Sequence, residues 1–181
     1  MVSLRTARLL LRPWQDDDVA AFAALSADPA VMEFLGPLSK PGEAEAWAGR
    51  ARDHWREHGF GQWVVEIPGE ARFIGVVGLR CIAYEAHFIP AVEVAWRLAR
   101  AHWGRGFAVE AARAALDYGF GGLGLDEIVA VTTPTNIRSR RVMERIGMTR
   151  RPEDDFDHPN APEGPLKRCV LYRLRRADTI T

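Results

Sequence analysis

The sequence predicts an α+β protein with a three-layer α/β/α architecture, in which a mixed, mostly antiparallel sheet lies between helices. Apolar and polar residues alternate in three successive segments near the middle of the chain, which is the period of half-buried strands. In the flanking regions apolar residues recur every three to four positions, as in amphipathic helices. With 181 residues, 48% of them hydrophobic, the chain suits one sizeable core, so we expect a single domain over residues 1–181.

The N-terminal part predicts one strand and two helices. The apolar run at residues 4–13 is typical of a strand, and residues 15–19 are typical of a helix start, with acidic side chains near the positive end of the helix dipole. A second helix is predicted over residues 41–58, with Gly59 as its stop. Its apolar face has members at helical spacing: Ala44, Trp47, Ala48, Ala51 and Trp55.

Strands and helices alternate in the rest of the chain. Strands are predicted at 62–67, 72–82, 91–99, 127–133 and 169–174, and helices at 107–120 and 137–146. Residues 152–165 are rich in proline and acidic side chains, which predicts a loop. This order favours one sheet with helices on both faces.

Composition excludes several classes of function. Basic and acidic side chains number 24 each, so net charge gives no attraction to nucleic acid or to an anionic membrane. Charges occur where the apolar core of a signal peptide would begin, and we therefore expect a soluble cytoplasmic protein. Cys81 and Cys169 lie in apolar runs and are interpreted as buried thiols. The sequence leaves open whether the protein assembles as a homodimer.

The loop between the strand at 91–99 and the helix at 107–120 is a candidate anion site. Gly104 and Gly106 let backbone N–H groups approach a ligand closely, while the start of the helix and Arg105 supply positive charge. Glycines in such a turn also occur for geometry alone. The spacing matches neither a P-loop nor a G-x-G-x-x-G dinucleotide loop.

The segment 134–147 is a second candidate. Asn136 is typical of an N-cap, and Ser139 falls on the same helical stripe as Val142, Met143 and Ile146. Such a serine either faces a ligand or bonds to its own helix backbone. The surrounding arginines either form a solvated face or reach a phosphate.

Residues 54–58 match H-x-x-E-H, a zinc-hydrolase pattern in which two histidines one turn apart hold the metal. No downstream helix supplies a third ligand, and Gly59 ends the helix at once. We interpret His54 and His58 as the exposed end of a helix and expect no metal.

Six phrases of the sequence, in this order and spacing, resemble the GCN5-related N-acetyltransferase (GNAT) superfamily and its ribosomal-protein N-terminal acetyltransferase-like (RimJ/RimL-type) branch. The resemblance covers nearly the whole chain. The phrases are TARLLLRP at 6–13, DPAV at 28–31, FIGVVGL at 73–79, EVAW at 93–96, WGRGFAVEA at 103–111 and NIRSRRVMERIG at 136–147.

The resemblance implies that acetyl-CoA is the co-substrate. In the superfamily a Gln/Arg-x-x-Gly-x-Gly/Ala signature wraps the pyrophosphate in backbone N–H groups, and Trp103 departs from the Gln/Arg of that signature. The strand that carries Glu93 is expected to splay from its neighbour and to admit pantetheine. The coenzyme-binding residues implied are Val94, Ala95, Trp96, Trp103, Gly104, Arg105, Gly106, Phe107, Ala108, Asn136, Ser139 and Arg141.

Direct acetyl transfer needs a neutral amine and a proton for the departing thiolate. On the implied strand, Glu93 is the candidate base, acting through a water, although an alternating strand also places ordinary carboxylates on its surface. Many superfamily members use a helix tyrosine as the acid, but Met143 stands there and a thioether donates no proton. Ser139 is the candidate substitute. Glu110 is expected to brace the coenzyme loop.

The loop at 152–165 offers Asp157 and His158 as candidates for holding a cationic amine, and His158 is a rival base. The plainer interpretation is a solvated loop. The predicted function is an acetyl-CoA-dependent N-acetyltransferase acting on a protein N-terminal α-amine or a small-molecule amine. The alternative is a non-catalytic acyl-CoA-binding sensor or partner-binding module with the same fold, which Met143 favours.

Overall fold

The central sheet sets the position of the functional cleft. The computed structural model describes residues 1–36 and 42–179. Over these ranges nine strands follow the order β1-β2-β3-β4-β5-β6-β9-β7, with β8 also on β9, and every pair is antiparallel except β5 with β6. The strands are β1 (Leu4–Arg5), β2 (Leu10–Arg12), β3 (Gln62–Ile67), β4 (Ala71–Cys81), β5 (Val92–Leu98), β6 (Glu127–Thr132), β7 (Thr149–Arg150), β8 (Phe156–Asp157) and β9 (Arg168–Arg175).

Helices cover both faces of this sheet. Successive residues of a strand point to opposite faces. On β4, Val76 belongs to the same buried cluster as Phe22 and Ala44, whereas Val77 belongs to the cluster of Ala111. The helices are α1 (Asp18–Ala27), α2 (Pro29–Met32), α3 (Glu43–His58), α4 (Phe107–Asp117) and α5 (Ile137–Arg145). Thus α1 and the start of α3 form one layer, α4 and α5 form the other, and the predicted fold class is confirmed.

The prediction of one strand over residues 4–13 is wrong, because the run contains a turn. The hydroxyl oxygen of Thr6 accepts the N–H of Leu9 at 3.0 Å, and the N–H of Thr6 donates to the carbonyl of Leu9 at 3.0 Å. These local bonds compete with a continuous strand. The chain therefore folds back, and Leu4 pairs with Leu11.

The first helix begins at Asp18, inside the predicted start, but Asp18 does more than face the helix dipole. Its carboxylate is buried and accepts hydrogen bonds from both terminal nitrogens of Arg12, at 2.7 and 2.8 Å. Helix α2 was not predicted; it is a single turn in which Asp28 accepts the N–H of Ala30 at 2.9 Å. The predicted start of the next helix at Pro41 lies outside the described residues, and α3 is described from Glu43.

The part of the chain after β5 differs from the prediction in three places. Helix α4 ends at Asp117 and continues as a π-helical turn, Tyr118–Gly122. The two-residue strand β7 was missed. The predicted loop 152–165 contains β8, where Phe156 pairs with Cys169, because the buried Phe156 ring anchors the segment to the sheet.

Candidate active site

A cleft of about 540 Å³ opens where β5 and β6 separate. These parallel strands share one ladder position, Glu93 opposite Val129. Beyond it both strands line the cleft, through residues 93–98 and 131–132, and residues of α2, α4 and α5 complete the walls. The strands therefore diverge, as the resemblance implied, and the gap between them admits a ligand into the middle of the fold.

One end of the cleft is formed by the loop from β5 to α4. Gly104 and Gly106 adopt left-handed φ values of +73° and +82°, a conformation that glycine adopts without steric cost. Within the described part of the chain, no acceptor meets the backbone N–H groups of residues 104–109. Unpaired N–H groups at a helix start, beside its positive dipole end, form a site for an anion.

The side chain of Trp103 lines the cleft but offers no hydrogen-bond donor to a ligand there. Its indole N–H donates to the carbonyl of Leu98 at 2.7 Å. The guanidinium of Arg138 lies 4.5 Å from its ring centroid and also pairs with Glu33 at 2.9 Å. Arg138 therefore links α5 to the turn after α2 and to the β5–α4 loop.

Helix α5 brings Asn136, Ser139 and Arg141 to the opposite wall. Asn136 is used as a cap: its side-chain oxygen accepts the N–H of Ser139 at 3.1 Å, and its amide donates to Thr132 at 3.0 Å. The hydroxyl of Ser139 forms no hydrogen bond with any described residue. Arg141 and Arg145 line the cleft and make no ion pair within the described ranges. This wall thus offers a free hydroxyl and two free cations.

Glu93 lies at the other end of the cleft and is 4% exposed. Its Oε2 accepts from Arg80, with the Nη2–Oε2 distance at 2.7 Å, and Arg80 is its cross-strand neighbour on β4. Its Oε1 receives no hydrogen bond from the residues described. Burial and the Glu93 charge raise the pKa of Tyr84, so this phenol keeps its proton nearby. Glu93 is thus an anchored carboxylate with one oxygen open to the cleft.

Arg97 is a cleft residue that sequence reasoning missed. It lies on the same face of β5 as Glu93, its Nη1 donates to Ser26 Oγ at 3.1 Å, and its guanidinium lies over the rings of Phe22 and Trp47. No carboxylate in the described ranges pairs with it, and burial lowers its pKa to about 10. At neutral pH it remains a cation without a counter-ion.

The side chain of Arg105 lies away from the cleft, which corrects the expectation that its charge assists the anion site. It pairs with Glu70 at 3.1 Å and stacks on Phe107, with 4.6 Å to the ring centroid. Arg8 occupies a second position over the same ring at 4.7 Å and donates to the Arg105 carbonyl. The contribution of Arg105 to the cleft is therefore limited to its backbone.

Glu110 braces the N-terminal segment rather than the loop amides. Its Oε1 accepts from the hydroxyl of Thr6 at 2.6 Å and from the N–H of Arg8 at 2.9 Å, and its Oε2 pairs with the Arg8 guanidinium at 2.6 Å. Burial alone would raise the pKa of Glu110, but these bonds outweigh it and the pKa is lowered.

Replacing Glu110 with glutamine is expected to reduce the amount by which the free energy of unfolding falls between neutral and acidic pH. A carboxyl whose pKa is lower in the folded state stabilises the fold above its unfolded pKa, and the contribution is lost as pH falls through the folded value. Urea unfolding at pH 7 and at about pH 3.5 should show a smaller loss for Glu110→Gln than for the wild type. The exposed Glu153 supplies a control, Glu153→Gln, which should lose as much as the wild type. An equal loss in Glu110→Gln would contradict the assignment.

Asp157 and His158 lie outside the walls of the cleft. Asp157 is exposed and pairs with Arg168 at 3.3 Å. His158 packs on Tyr84, with 4.2 Å between ring centroids, and its Nδ1 accepts the N–H of Asn160. Burial lowers the pKa of His158, and the charge of Glu93 opposes that shift. Of these two residues, His158 is the one whose pKa is influenced by the charge of Glu93.

Met143 is 1% exposed and belongs to the buried core, and it also lines the cleft from α5. Its side chain contributes packing and no ionisable group, in agreement with the interpretation of its thioether.

Comparison with known proteins agrees with this geometry. The family model described as "Acetyltransferase (GNAT) domain" matches residues 8–149. The "Uncharacterized protein YkkB" of Bacillus subtilis is 34% identical over 146 residues, covering 80% of this chain and 84% of that protein. A crystal structure of an acetyltransferase from Agrobacterium tumefaciens is 30% identical, with a TM-score of 0.79 and coverage of 97% of this chain and 95% of that one. RimJ from Mycobacterium smegmatis, in complex with CoA-disulfide, shares the fold at 20% identity, with a TM-score of 0.78 over 99% of this chain and 88% of that one.

The fold and the cleft define an acyltransferase of the kind that uses a coenzyme A thioester. The chain belongs to the GNAT acetyltransferases and is an acetyl-CoA-dependent acyltransferase. Among the helices of the described residues, none combines the length and the apolar character needed to cross a membrane.

Proposed function

We propose that this chain moves an acetyl group from acetyl-CoA directly to a primary amine, without a covalent enzyme intermediate, as a member of the RimJ/RimL-type branch. One observation carries the proposal: a single cleft is lined both by the unpaired amides of the β5–α4 loop and by the buried Glu93. Transfer of an acetyl group from a phosphate-bearing thioester to an amine requires an anion-binding site and a proton acceptor, and this cleft offers both.

The residues of the cleft fit coenzyme A. The backbone N–H groups of residues 104–109 would hold the pyrophosphate, and Arg141 and Arg145, which have no ion-pair partner in the described ranges, would meet phosphate charge. Val94, Ala95 and Trp96 of β5 would contact the pantetheine chain. When bound, the coenzyme supplies an activated acetyl thioester.

Glu93 would hold a water against the incoming amine and accept its proton. Its Oε2 is fixed by Arg80, which leaves Oε1 to receive that hydrogen bond. The need for this base depends on the acceptor: an α-amine with a pKa near 8 is roughly 10% neutral at pH 7, whereas a lysine amine is roughly 0.04% neutral.

Ser139 would stabilise or protonate the departing thiolate. Its side chain lines the cleft on α5, directly after the capped start of the helix, and its hydroxyl has no acceptor among the described residues. A hydroxyl is both donor and acceptor, so it can hydrogen-bond sulfur in a site where Met143 cannot.

The acceptor would reach Glu93 from the side of Tyr84 and His158. His158 is kept neutral by burial and by the neighbouring charges of Arg80 and Lys167, which suits contact with an amine. Both a protein N-terminus and a small-molecule amine fit this approach. The unpaired Arg97 on the same sheet face adds a point of attraction for an acceptor that also carries an acidic group.

Thiol release from acetyl-CoA with a panel of amines tests the proposal. The panel contains peptides with a free N-terminus, N-terminally blocked lysine peptides, a polyamine and an aminoglycoside. We expect release above the hydrolysis background with at least one class. Coenzyme binding without release on every amine would instead support the acyl-CoA sensor and overturn the proposal.

Replacing Gly106 with alanine is expected to raise the Kd for coenzyme A by about tenfold, because a left-handed residue with a Cβ costs roughly 1–2 kcal/mol and the free loop would relieve that strain by leaving the conformation that binds the coenzyme. The new Cβ would also lie 3.4 Å from Nη2 of Arg8. Gly121→Ala is the matched control, since its Cβ meets nothing within 4 Å. Calorimetric titration with coenzyme A separates the two, and equal affinities would contradict the assignment of the loop.

A further inference from the structure

The H-x-x-E-H segment at the end of α3 gains a third ligand in the folded chain. His54 and His58 lie one helical turn apart, and Cys81, the last residue of β4, lies beside them. One ligand atom of each residue falls within 4.8 Å of those of the other two. Sequence reasoning sought the missing ligand on a downstream helix, whereas the sheet brings it from a strand.

Hydrogen bonds fix the ring of His54 in a tautomer suited to metal binding. Its Nδ1 lies 2.8 Å from the carbonyl of Phe60, so the ring proton is on Nδ1 and donates to that oxygen. Its Nε2 therefore carries the lone pair, which accepts the N–H of Cys81 at 3.0 Å. A metal-binding histidine usually donates its other N–H to a carbonyl or carboxylate in this way.

The surroundings of the cluster are polar and partly open. His58 is exposed, and its Nε2 lies 3.8 Å from a carboxylate oxygen of Glu57.

We propose that His54, His58 and Cys81 form a binding site for a divalent metal ion of intermediate softness, with Zn²⁺ as the best fit, where the end of α3 meets the end of β4. Two imidazoles and one thiolate suit tetrahedral Zn²⁺, with water or Glu57 as the fourth ligand. On binding, the Cys81 thiol releases its proton to solvent, and Nε2 of His54 passes from the Cys81 N–H to the metal. The site is separate from the acetyl-transfer cleft and does not depend on the proposed function.

Titration of the reduced, full-length protein with Co²⁺ tests the site, because Co²⁺ reports both geometry and sulfur ligation. We expect one equivalent to produce tetrahedral d–d bands and a thiolate-to-cobalt charge-transfer band, and Zn²⁺ to displace them. Zn²⁺ should also raise the Tm. A shift of Tm without these spectra, or no binding, would overturn the proposal.

Matched variants identify the ligands. His58→Ala should weaken binding by at least about tenfold, a loss already seen when only a supporting residue of a metal site is removed. His87→Ala, at another exposed histidine, should bind as the wild type does. Cys81→Ser should abolish the charge-transfer band, and Cys169→Ser should retain it.

Circular dichroism of each metal-free variant shows whether the fold is kept. Because His58 is exposed, His58→Ala remains an informative variant if Cys81→Ser fails to fold. Equal affinities of His58→Ala and His87→Ala would rule out the site.

Discussion

Replacing Glu93 with glutamine is expected to lower kcat/KM for amine acetylation at pH 7 by about 10²-fold or more, which is the usual contribution of a positioned general base. Glutamine preserves the size of the side chain and an oxygen that can accept from Arg80. It removes the negative charge that pairs with Arg80, and with it the ability to take a proton. The Kd for coenzyme A should therefore stay within about twofold of the wild-type value, because Glu93 lies at the opposite end of the cleft from the amide loop.

The size of this effect should depend on the pKa of the acceptor amine. When the pH is above the pKa of the amine, the amine is already neutral in solution, so a base on the enzyme contributes less to the rate. We therefore expect the rate gap between wild type and Glu93→Gln to narrow as pH rises through the pKa of the acceptor. For an α-amine the gap should narrow near pH 8, and for a lysine-like amine near pH 10. Steady-state rates across this range, at saturating acetyl-CoA, measure the change.

Ser139→Ala supplies the contrast for Glu93→Gln. A hydroxyl that serves the leaving thiolate should lower kcat by a factor that is independent of the acceptor pKa. If Glu93→Gln instead showed the wild-type rate at pH 7 with every acceptor, Glu93 would be a structural partner of Arg80 and the base would lie elsewhere, with His158 as the next candidate.

Local patterns in the sequence were sufficient to predict much of the fold. The strands near 62–67 and 127–133, and the helix from Phe107, depend on alternation and helical spacing within a few residues, and each lies within about one residue of its predicted start. The candidate anion-binding loop between β5 and α4 was also predictable from local sequence, since the spacing of Gly104 and Gly106 marks it. The resemblance of the loop to a family signature then predicted which anion it binds, the pyrophosphate of coenzyme A.

Features that depend on distant pairs were not predictable in this way. Arg80 and Glu93 meet because β4 and β5 pair in one particular register, and Cys81 reaches His54 because the end of β4 lies against α3. The short strand β8 carries no periodic signal, because two residues cannot show a period. Its position follows from burial of Phe156 in a cluster that forms only in the folded chain.

The contact of Arg12 with Glu66, 54 positions away, is another long-range feature. Together with the local pair of Arg12 and Asp18, it supports the largest stability prediction. Arg12 donates to Asp18 at 2.7 and 2.8 Å, to Glu66 at 2.8 Å and to the carbonyl of Arg72 at 2.8 Å. The side chains of Arg12 and Asp18 are 7% and 6% exposed. Solvent therefore screens this pair little, and its loss leaves a carboxylate buried without a counter-ion.

Replacing Arg12 with methionine is expected to lower the free energy of unfolding by about 3–5 kcal/mol and the Tm by roughly 6–20 °C. Methionine retains most of the apolar volume, so the loss reports the unpaired carboxylates. Arg52→Met is the matched control: Arg52 pairs with Asp16, whose side chain is 97% exposed, and the change should cost under about 1 kcal/mol. Urea unfolding monitored by tryptophan fluorescence and by circular dichroism measures both variants.

A second substitution separates the charge effect from lost packing. If the cost of Arg12→Met is mainly the uncompensated charge of Asp18, then adding Asp18→Asn should recover part of the stability, because a neutral amide is less costly to bury than a carboxylate. If packing dominates, the two losses should add, since Asp18→Asn alone leaves only a neutral amide oxygen, a weaker acceptor than a carboxylate, for the Gln15 N–H that donates to Asp18 at 2.7 Å. A double variant less stable than Arg12→Met would show that the buried network acts through shape and hydrogen bonding rather than through balanced charge.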